Sequence, residues 1–282
     1  ALRLPVLRLV ALRKQGRMTT WTRVTKSEPC QHCGKGDWCT RGAYWSCCMR
    51  VQSIRPAANG GWLHPIHGLK EKPLQSMPKI DRKPSINATA LVREWKKAIP
   101  TRDITILAGA LCLSAWSLRE LGVCWAPPHG AWCFPMVDAY GSTVGIRLRG
   151  DDGRKWAVRG SRQGMFMGRG GAQETVWVTE GPTDAAAGLE LGLFTIGRPS
   201  CRGCINDICT AIRRADSRRA VILSDNDSPG HDGALQLAAA LHIPSVIICP
   251  PAKDLRSYVT KGGTGTMLGA LLTGQTWKQP KR

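Results

Sequence analysis

Negative charge is scarce in this sequence: 20 Asp plus Glu stand against 40 Lys plus Arg in 282 residues, a formal net charge of +20. A chain so short of acid is expected to meet a polyanion, with nucleic acid the first candidate and a membrane surface the alternative. Long apolar runs are missing too. None approaches the roughly 20 residues of a spanning helix, so no membrane partner is expected. Only three tyrosines occur, Tyr44, Tyr140 and Tyr258, and none has the surroundings of a catalytic nucleophile. The Gly-rich run Gly262-Gly-Thr-Gly265-Thr lacks the Gly-Lys-Ser/Thr ending of a Walker phosphate loop, so no helicase module is expected. Ala1 to Val10 is apolar and basic, but too short and too interrupted by arginine for a signal peptide. With no initiator Met, and Met18 ahead of the first organised motif, residues 1–17 read as an upstream extension or a disordered basic arm.

Twelve cysteines are present, and their distribution argues against a secreted disulfide framework. Cys112, Cys124, Cys133 and Cys249 lie among apolar neighbours and read as small core residues. Cys30, Cys33, Cys39, Cys47 and Cys48 are clustered and open on Cys-x-x-Cys-Gly, the spacing of a zinc knuckle. The compartment is then reducing, and the expected location is cytoplasmic. Neighbours on a hairpin strand point to opposite faces, so Cys47 and Cys48 are not both expected to ligate. His32, between two thiols, is expected to be exposed. Trp38, Trp45 and Trp62 either stack unpaired bases or cover the knuckle.

Two acidic signatures organise the second half. Thr175-Val-Trp-Val-Thr-Glu180-Gly181-Pro-Thr-Asp184 and Ala220-Val-Ile-Leu-Ser-Asp225-Asn-Asp227-Ser-Pro-Gly230 are short β-branched runs ending in acids. Both read as buried parallel strands. Helices are expected over 184–191, stopped by Gly192, and over 231–242. Ser245 to Cys249 reads as the last parallel strand. Ligands of open α/β sheets gather at the carboxyl ends of strands, and in Asp225-Asn-Asp227 alternate strand residues would share a face. Carboxylates crowded there repel one another unless a hard cation, Mg²⁺ or Mn²⁺, neutralises them.

Glu180-Gly181 with Asp184, then Asp225-Asn-Asp227-Ser-Pro-Gly230, then Lys253-Asp254 ahead of Tyr258, resembles the Toprim domain shared by DnaG-type primases, topoisomerases and some nucleases. Upstream, Phe134-Pro135 through Asp138-x-x-Gly141, Gly145-Ile-Arg147-Leu-Arg149 and Lys155 to Arg159 resembles the amino-terminal subdomain of the DnaG-type core. There Arg147 and Arg149 share one strand face, with Lys155 and Arg159 on the next strand, as a positive wall for template phosphates or an incoming triphosphate. Pro29-Cys30 to Arg50 resembles the zinc ribbon of phage-type primases, with Cys30, Cys33, Cys39 and Cys48 as the expected ligands and Cys47 the rival fourth. Cys201-x-x-Cys204, with Cys209 near, repeats the knuckle spacing without an obvious fourth ligand, and Arg198 to Cys204 is read as a phosphate-facing loop.

The expected fold is α/β: a Toprim-type parallel sheet flanked by helices, preceded by a small basic α+β subdomain and an N-terminal zinc ribbon. The expected boundaries are an arm at 1–17, ribbon at 18–67, linker and helix at 68–100, basic subdomain at 101–172, Toprim domain at 173–260 and a poorly closing basic tail at 261–282. The resemblance implies a stand-alone or fragmentary primase of a phage or mobile element, making primers on single-stranded DNA from nucleoside triphosphates beside a separate replicative helicase. It implies structural Zn²⁺ and a two-metal Mg²⁺ or Mn²⁺ mechanism. Glu180, Asp225 and Asp227 are the catalytic acids, Asp184 joins the metal ligands, and Lys253 joins the nucleotide-binding cations. Asp254 is a helix cap or an outer-shell residue. The rivals are a Toprim nuclease and a catalytically silent DNA-binding protein; a topoisomerase would need the missing nucleophilic tyrosine.

Overall fold

The computed structural model describes residues 21–57, 61–66, 86–98, 102–168 and 173–280. The chain divides into two compact units, Ala1–Met77 and Pro78–Arg282. The basic arm 1–17, the Asn59-Gly60 turn and the linker lie outside the described residues.

In the first unit, β1 (Thr22–Arg23), β2 (Thr40–Arg41), β3 (Trp45–Cys48) and β4 (Trp62–Pro65) pair antiparallel in that order. Strands of two to four residues bury little apolar surface, and the core is made of thiols: Cys30, Cys39 and Cys48, with Val24, Cys33 and Met49 against them. Trp62 is buried, Trp45 lies beneath the Arg55 guanidinium at 4.8 Å, and Trp38 is 64 % exposed. His32 is not the exposed ring expected of it. The β3–β4 register sets Ser46 opposite His64, and His32 stacks on His64 at 4.1 Å with its Nε2 2.7 Å from Ser46 Oγ.

The second unit opens with α1 (Ala88–Lys97), whose first turn is capped by Asn87 Oδ1 accepting from the Ala90 N–H. Its buried face, Val92 and Trp95, packs on Ile146 and Leu148 of an antiparallel sheet, β5 (Cys124–Ala126), β6 (Ala131–Val137), β7 (Thr143–Arg149) and β8 (Lys155–Ala157). Between them come α2 (Ile104–Leu111) and α3 (Ala115–Glu120), the latter capped by Ser114.

A five-stranded sheet follows: β9 (Phe166–Met167), β10 (Thr175–Glu180), β11 (Phe194–Arg198), β12 (Arg219–Leu223) and β13 (Ser245–Ile248). Its spatial order is β13-β12-β10-β11-β9, with β9 antiparallel to β11 and all other pairs parallel. Side chains alternate across it. Val176, Val178 and Ile222 face α5 (Ile205–Arg214) and α6 (Ser228–Ala240) through Ile208 and Leu237. Trp177, Val221 and Val246 share the other core with Ala185 to Ala187 of α4 (Gly181–Glu190) and with Leu255 and Tyr258 of α7 (Leu255–Thr260).

The chain leaves β10 for β11 on one side and reaches β12 on the other, so the strand order reverses beside β10. In open α/β sheets the crevice at such a reversal takes the ligand. The C-terminal segment closes better than its composition suggests. α8 (Gly265–Ala270) buries Leu268, Trp277 packs on the same core, and Lys278 bridges Ser245 at the edge of β13.

Candidate active site and cysteine centre

Glu180 ends β10, and Gly181, at φ +78°, supplies the left-handed turn that sends the chain straight into α4. Across the register Glu180 faces Arg198, the last residue of β11. Arg198 is 0 % exposed; its Nη2 donates to Glu180 Oε1 at 2.9 Å and its Nη1 to the Cys201 carbonyl at 2.6 Å, while Nε has no partner. Asp184, in the first turn of α4, is 6 % exposed and accepts from the Arg256 backbone N–H at 2.8 Å.

Asp225 and Asp227 are not strand residues sharing a face. β12 stops at Leu223, and both aspartates lie in the turn into α6, which begins at Ser228 rather than His231. The reason is capping: Asp227 accepts from the Gly230 N–H at 2.7 Å, satisfying an orphan donor of the helix. Asp254 does the same for α7, accepting from Ser257 N–H at 2.7 Å. Lys253 is exposed, and its carbonyl accepts from the Asn226 N–H at 3.3 Å. Gly230 is where these pieces meet. A Cβ there would stand 3.0 Å from the Asp225 carbonyl oxygen, 3.0 Å from Asp227 Oδ1 and 3.1 Å from Glu180 Oε1.

Burial pushes Asp184 up to about 8, with the charges of Asp254 and Asp225 adding to it. Asp225 is pushed up to about 7 by burial, then by Glu180, Asp254 and Asp227. Burial also raises Glu180, against the pull of Arg198. The cluster thus resists carrying its full negative charge, which is the condition a bound cation relieves. Arg198 offsets part of that charge at Glu180 and Asp225, and Arg256 part of it at Asp184. Among the described residues no three of these carboxylates close to within 4.8 Å of one another, a convergence only four thiols show.

Across from the acids stands a group of cations. In the β7–β8 register Arg147 faces Ala157 and Arg149 faces Lys155. Burial lowers Arg147, whose Nε is buried without a partner and whose Nη2 donates to the Pro199 carbonyl at 3.4 Å. Burial and the charge of Arg256 lower Arg149. Lys155 is lowered by burial and by Arg149, Arg256 and Arg147, while Asp184 pulls it the other way. Arg159 does not join this group, because β8 ends at Ala157 and Arg159 lies exposed in the turn beyond. Arg256 takes its place. Arg256 was missed by sequence reasoning, and Arg198, read as the start of a phosphate-facing loop, instead closes β11 and pairs with Glu180. For Arg198 the only signal was an arginine closing an otherwise apolar strand, five residues after Leu193.

In the first unit the sulfurs of Cys30, Cys33, Cys39 and Cys48 all lie within 4.8 Å of one another. Cys33 to Cys39 is 3.7 Å and Cys39 to Cys48 3.9 Å, against the roughly 3.8 Å edge that Zn–S bonds of about 2.3 Å imply for a tetrahedron. Backbone N–H groups of Met49 and Val51 donate to Cys39 and Cys48, at 3.4 and 3.2 Å. Burial raises Cys39 and Cys48, whereas N–H and S–H donors, led by Lys35, overcome burial and bring Cys33 down to about 7. Cys47 points elsewhere, its sulfur packed beneath Gly61. The four-cysteine cluster fits a zinc ribbon. Around Cys201, Cys204 and Cys209 no group converges among the described residues. Cys112 and Cys249 are exposed rather than core, whereas Cys133 is buried.

No family model matches the chain, and no curated protein matches it in sequence. Solved structures do match in fold. The E. coli primase catalytic core superposes with a TM-score of 0.53 at 13 % identity, over 67 % of this chain and 79 % of that one. The Aquifex aeolicus primase, solved with its zinc-binding and RNA polymerase domains, gives 0.53 at 11 % identity over 68 % and 60 %. A DnaG primase catalytic domain bound to single-stranded DNA gives 0.51 at 12 % identity over 68 % and 79 %. The chain has the mixed α/β fold of primase catalytic cores.

Proposed function

We propose that this chain is a primase-like nucleotidyltransferase that builds short primers on single-stranded DNA from nucleoside triphosphates. The observation that carries the reading is the pairing of an acidic crevice with a cationic strip on a primase-type fold. Glu180, Asp184, Asp225 and Asp227 gather at the carboxyl edge of the sheet's parallel strands, and Lys155 and Arg256 lie within electrostatic reach of Asp184, with Arg147 and Arg149 beside Lys155.

The acids fit a hard divalent cation. All four offer oxygen, two are held far above the ordinary aspartate range by burial and by one another's charge, and a side chain at Gly230 would press on oxygens of Asp225, Asp227 and Glu180. Mg²⁺ or Mn²⁺ bound there supplies charge neutralisation and activation of the attacking hydroxyl. Asp225, Asp227 and Glu180 would hold it, with Asp184 behind them and Asp254 fixing α7. Arg147, Arg149 and Lys155 would bind template or triphosphate phosphates, and the four thiols of the ribbon would hold Zn²⁺. The Toprim resemblance supports the same assignment.

One observation favours a second reading, a catalytically silent DNA-binding protein: Arg198 already neutralises Glu180 without any metal. Incorporation of labelled nucleotides on single-stranded DNA, with Mg²⁺ titrated, separates the two. Primer synthesis that is abolished by chelator and reduced about a hundredfold or more by Asp225→Asn, with DNA affinity retained, supports the enzyme. DNA binding with no incorporation at any Mg²⁺ or Mn²⁺ concentration supports the silent protein.

A further inference from the structure

Outside the acidic crevice and the ribbon, one pair of reactive side chains is unaccounted for. Cys124 on β5 and Cys133 on β6 are direct cross-strand partners. Residues opposed in an antiparallel pair have Cα atoms about 4.5–5.5 Å apart, inside the 4.4–6.8 Å window of a disulfide. The pair is asymmetric. Cys133 is 0 % exposed, sealed in the core beside Ile146, Leu148 and Trp95, whereas Cys124 is half-buried and reachable from solvent.

We propose that Cys124 and Cys133 form an oxidisable dithiol, in which Cys124 is the attacking thiol and Cys133 the resolving one. The neighbouring Cys133 thiol, with the Lys96 ammonium of α1 nearby, favours the Cys124 thiolate, while Cys124 and burial disfavour ionisation of Cys133. A hydroperoxide is the oxidant. The Cys124 thiolate attacks its terminal oxygen, the O–O bond breaks, and hydroxide or alkoxide leaves with the electron pair, giving a sulfenic acid at Cys124. The Cys133 sulfur then attacks the Cys124 sulfur, the S–O bond breaks, and water departs carrying the Cys133 proton. Two thiols are oxidised by two electrons and one peroxide is reduced. The product staples β5 to β6, the strand that pairs with the Arg147- and Arg149-bearing β7. A dithiol reductant reverses it.

The inference is independent of the primase reading, and so is its test. Zinc-loaded full-length protein is exposed to graded hydrogen peroxide, blocked with iodoacetamide, digested and mapped by mass spectrometry. The expected result is a Cys124–Cys133 cross-linked peptide, two hydrogens lighter than the reduced pair, formed at peroxide levels that leave Cys112 and Cys249 alkylated and the zinc retained. Cys133→Ser should instead accumulate a dimedone-trapped sulfenic acid on Cys124, and Cys124→Ser should leave Cys133 unmodified. The cross-link in the unaltered protein is the deciding measurement if either variant folds poorly. Cys124 oxidised no faster than exposed Cys112, or a peroxide-treated protein with no such peptide, overturns the proposal.

Discussion

The two units solve the same problem of cohesion with opposite means. The second buries large aliphatic and aromatic side chains from two sheets and the helices on them, with Trp132, Phe134, Phe166, Ile196 and Ile208 all below 2 % exposed. The first, with strands of two to four residues, has a core of three buried cysteines. Apolar burial stabilises the second unit whatever the solution holds, at about 25 cal/mol per Å². Thiols packed to 3.7–3.9 Å bring little of that, and the first unit depends on what binds them. A further contrast lies inside the second unit, where its hydrophobic layers are locally opposed by crowded acids.

The sharpest way to break this comparison is to remove metal from the ribbon. Cys39→Ser, at a site 0 % exposed, or strong chelation should abolish zinc binding and unfold the first unit, while the second unit keeps its own melting transition. Structural zinc sites contribute about 10–16 kcal/mol to such small domains, more than the fold has to spare. Cys47→Ser should keep the zinc, since its sulfur lies outside the cluster. Metal analysis with calorimetry reads both, and a single transition shifted as a whole would refute the separation.

A smaller but large effect is expected at Arg198. Removing one partner of a buried ion pair leaves the other charge unmatched, at a cost of about 3–5 kcal/mol. Arg198→Met should therefore lower the melting temperature of the second unit in metal-free buffer, and Mg²⁺ should recover part of the loss by replacing the guanidinium at Glu180. Stability unchanged in Arg198→Met would show that the pair does not hold the crevice.

Single-stranded DNA binding should fall with salt by a log–log slope of about 0.7 for each phosphate neutralised, and Arg147→Glu or Arg149→Glu should flatten it. Binding indifferent to salt would leave the cationic strip without a ligand.

A further effect is the dependence of metal-free stability on pH. Asp184 and Asp225 hold their protons more tightly folded than unfolded, at about 8 and about 7 against 3.8. The folded state thus binds more protons, so stability is greatest below pH 4, declines as pH rises through 7 and 8, and levels beyond. Asp184→Asn should flatten the upper part of that decline, and Mg²⁺ should flatten most of it. Thermal melts across pH 5 to 9 measure this, and a rise in stability over that window would reverse the assignment.

Much of this was legible in one dimension because it depends on local periodicity. The β-branched runs at Val176 to Val178 and Val221 to Leu223 alternate between two cores, as strands buried on both faces must. The helix stop at Gly192 and the cap at Asp254 follow from positive φ and backbone donors, which neighbouring residues dictate. The Cys-x-x-Cys spacing likewise announced a thiol cluster. What only the tertiary structure decided is which distant groups meet. Arg198 became the counter-ion of Glu180 because β10 and β11 pair in parallel at that register, 18 residues apart in sequence. Cys48 was separated from Cys47 by the pleat of β3 and by where the loops carry Cys30, Cys33 and Cys39. Asp225 and Asp227 left the strand because α6 needed a cap, and Arg256 displaced Arg159 because β8 ended two residues too soon. Register and chain crossing set these contacts, and neither leaves a trace in the spacing of residues along the chain.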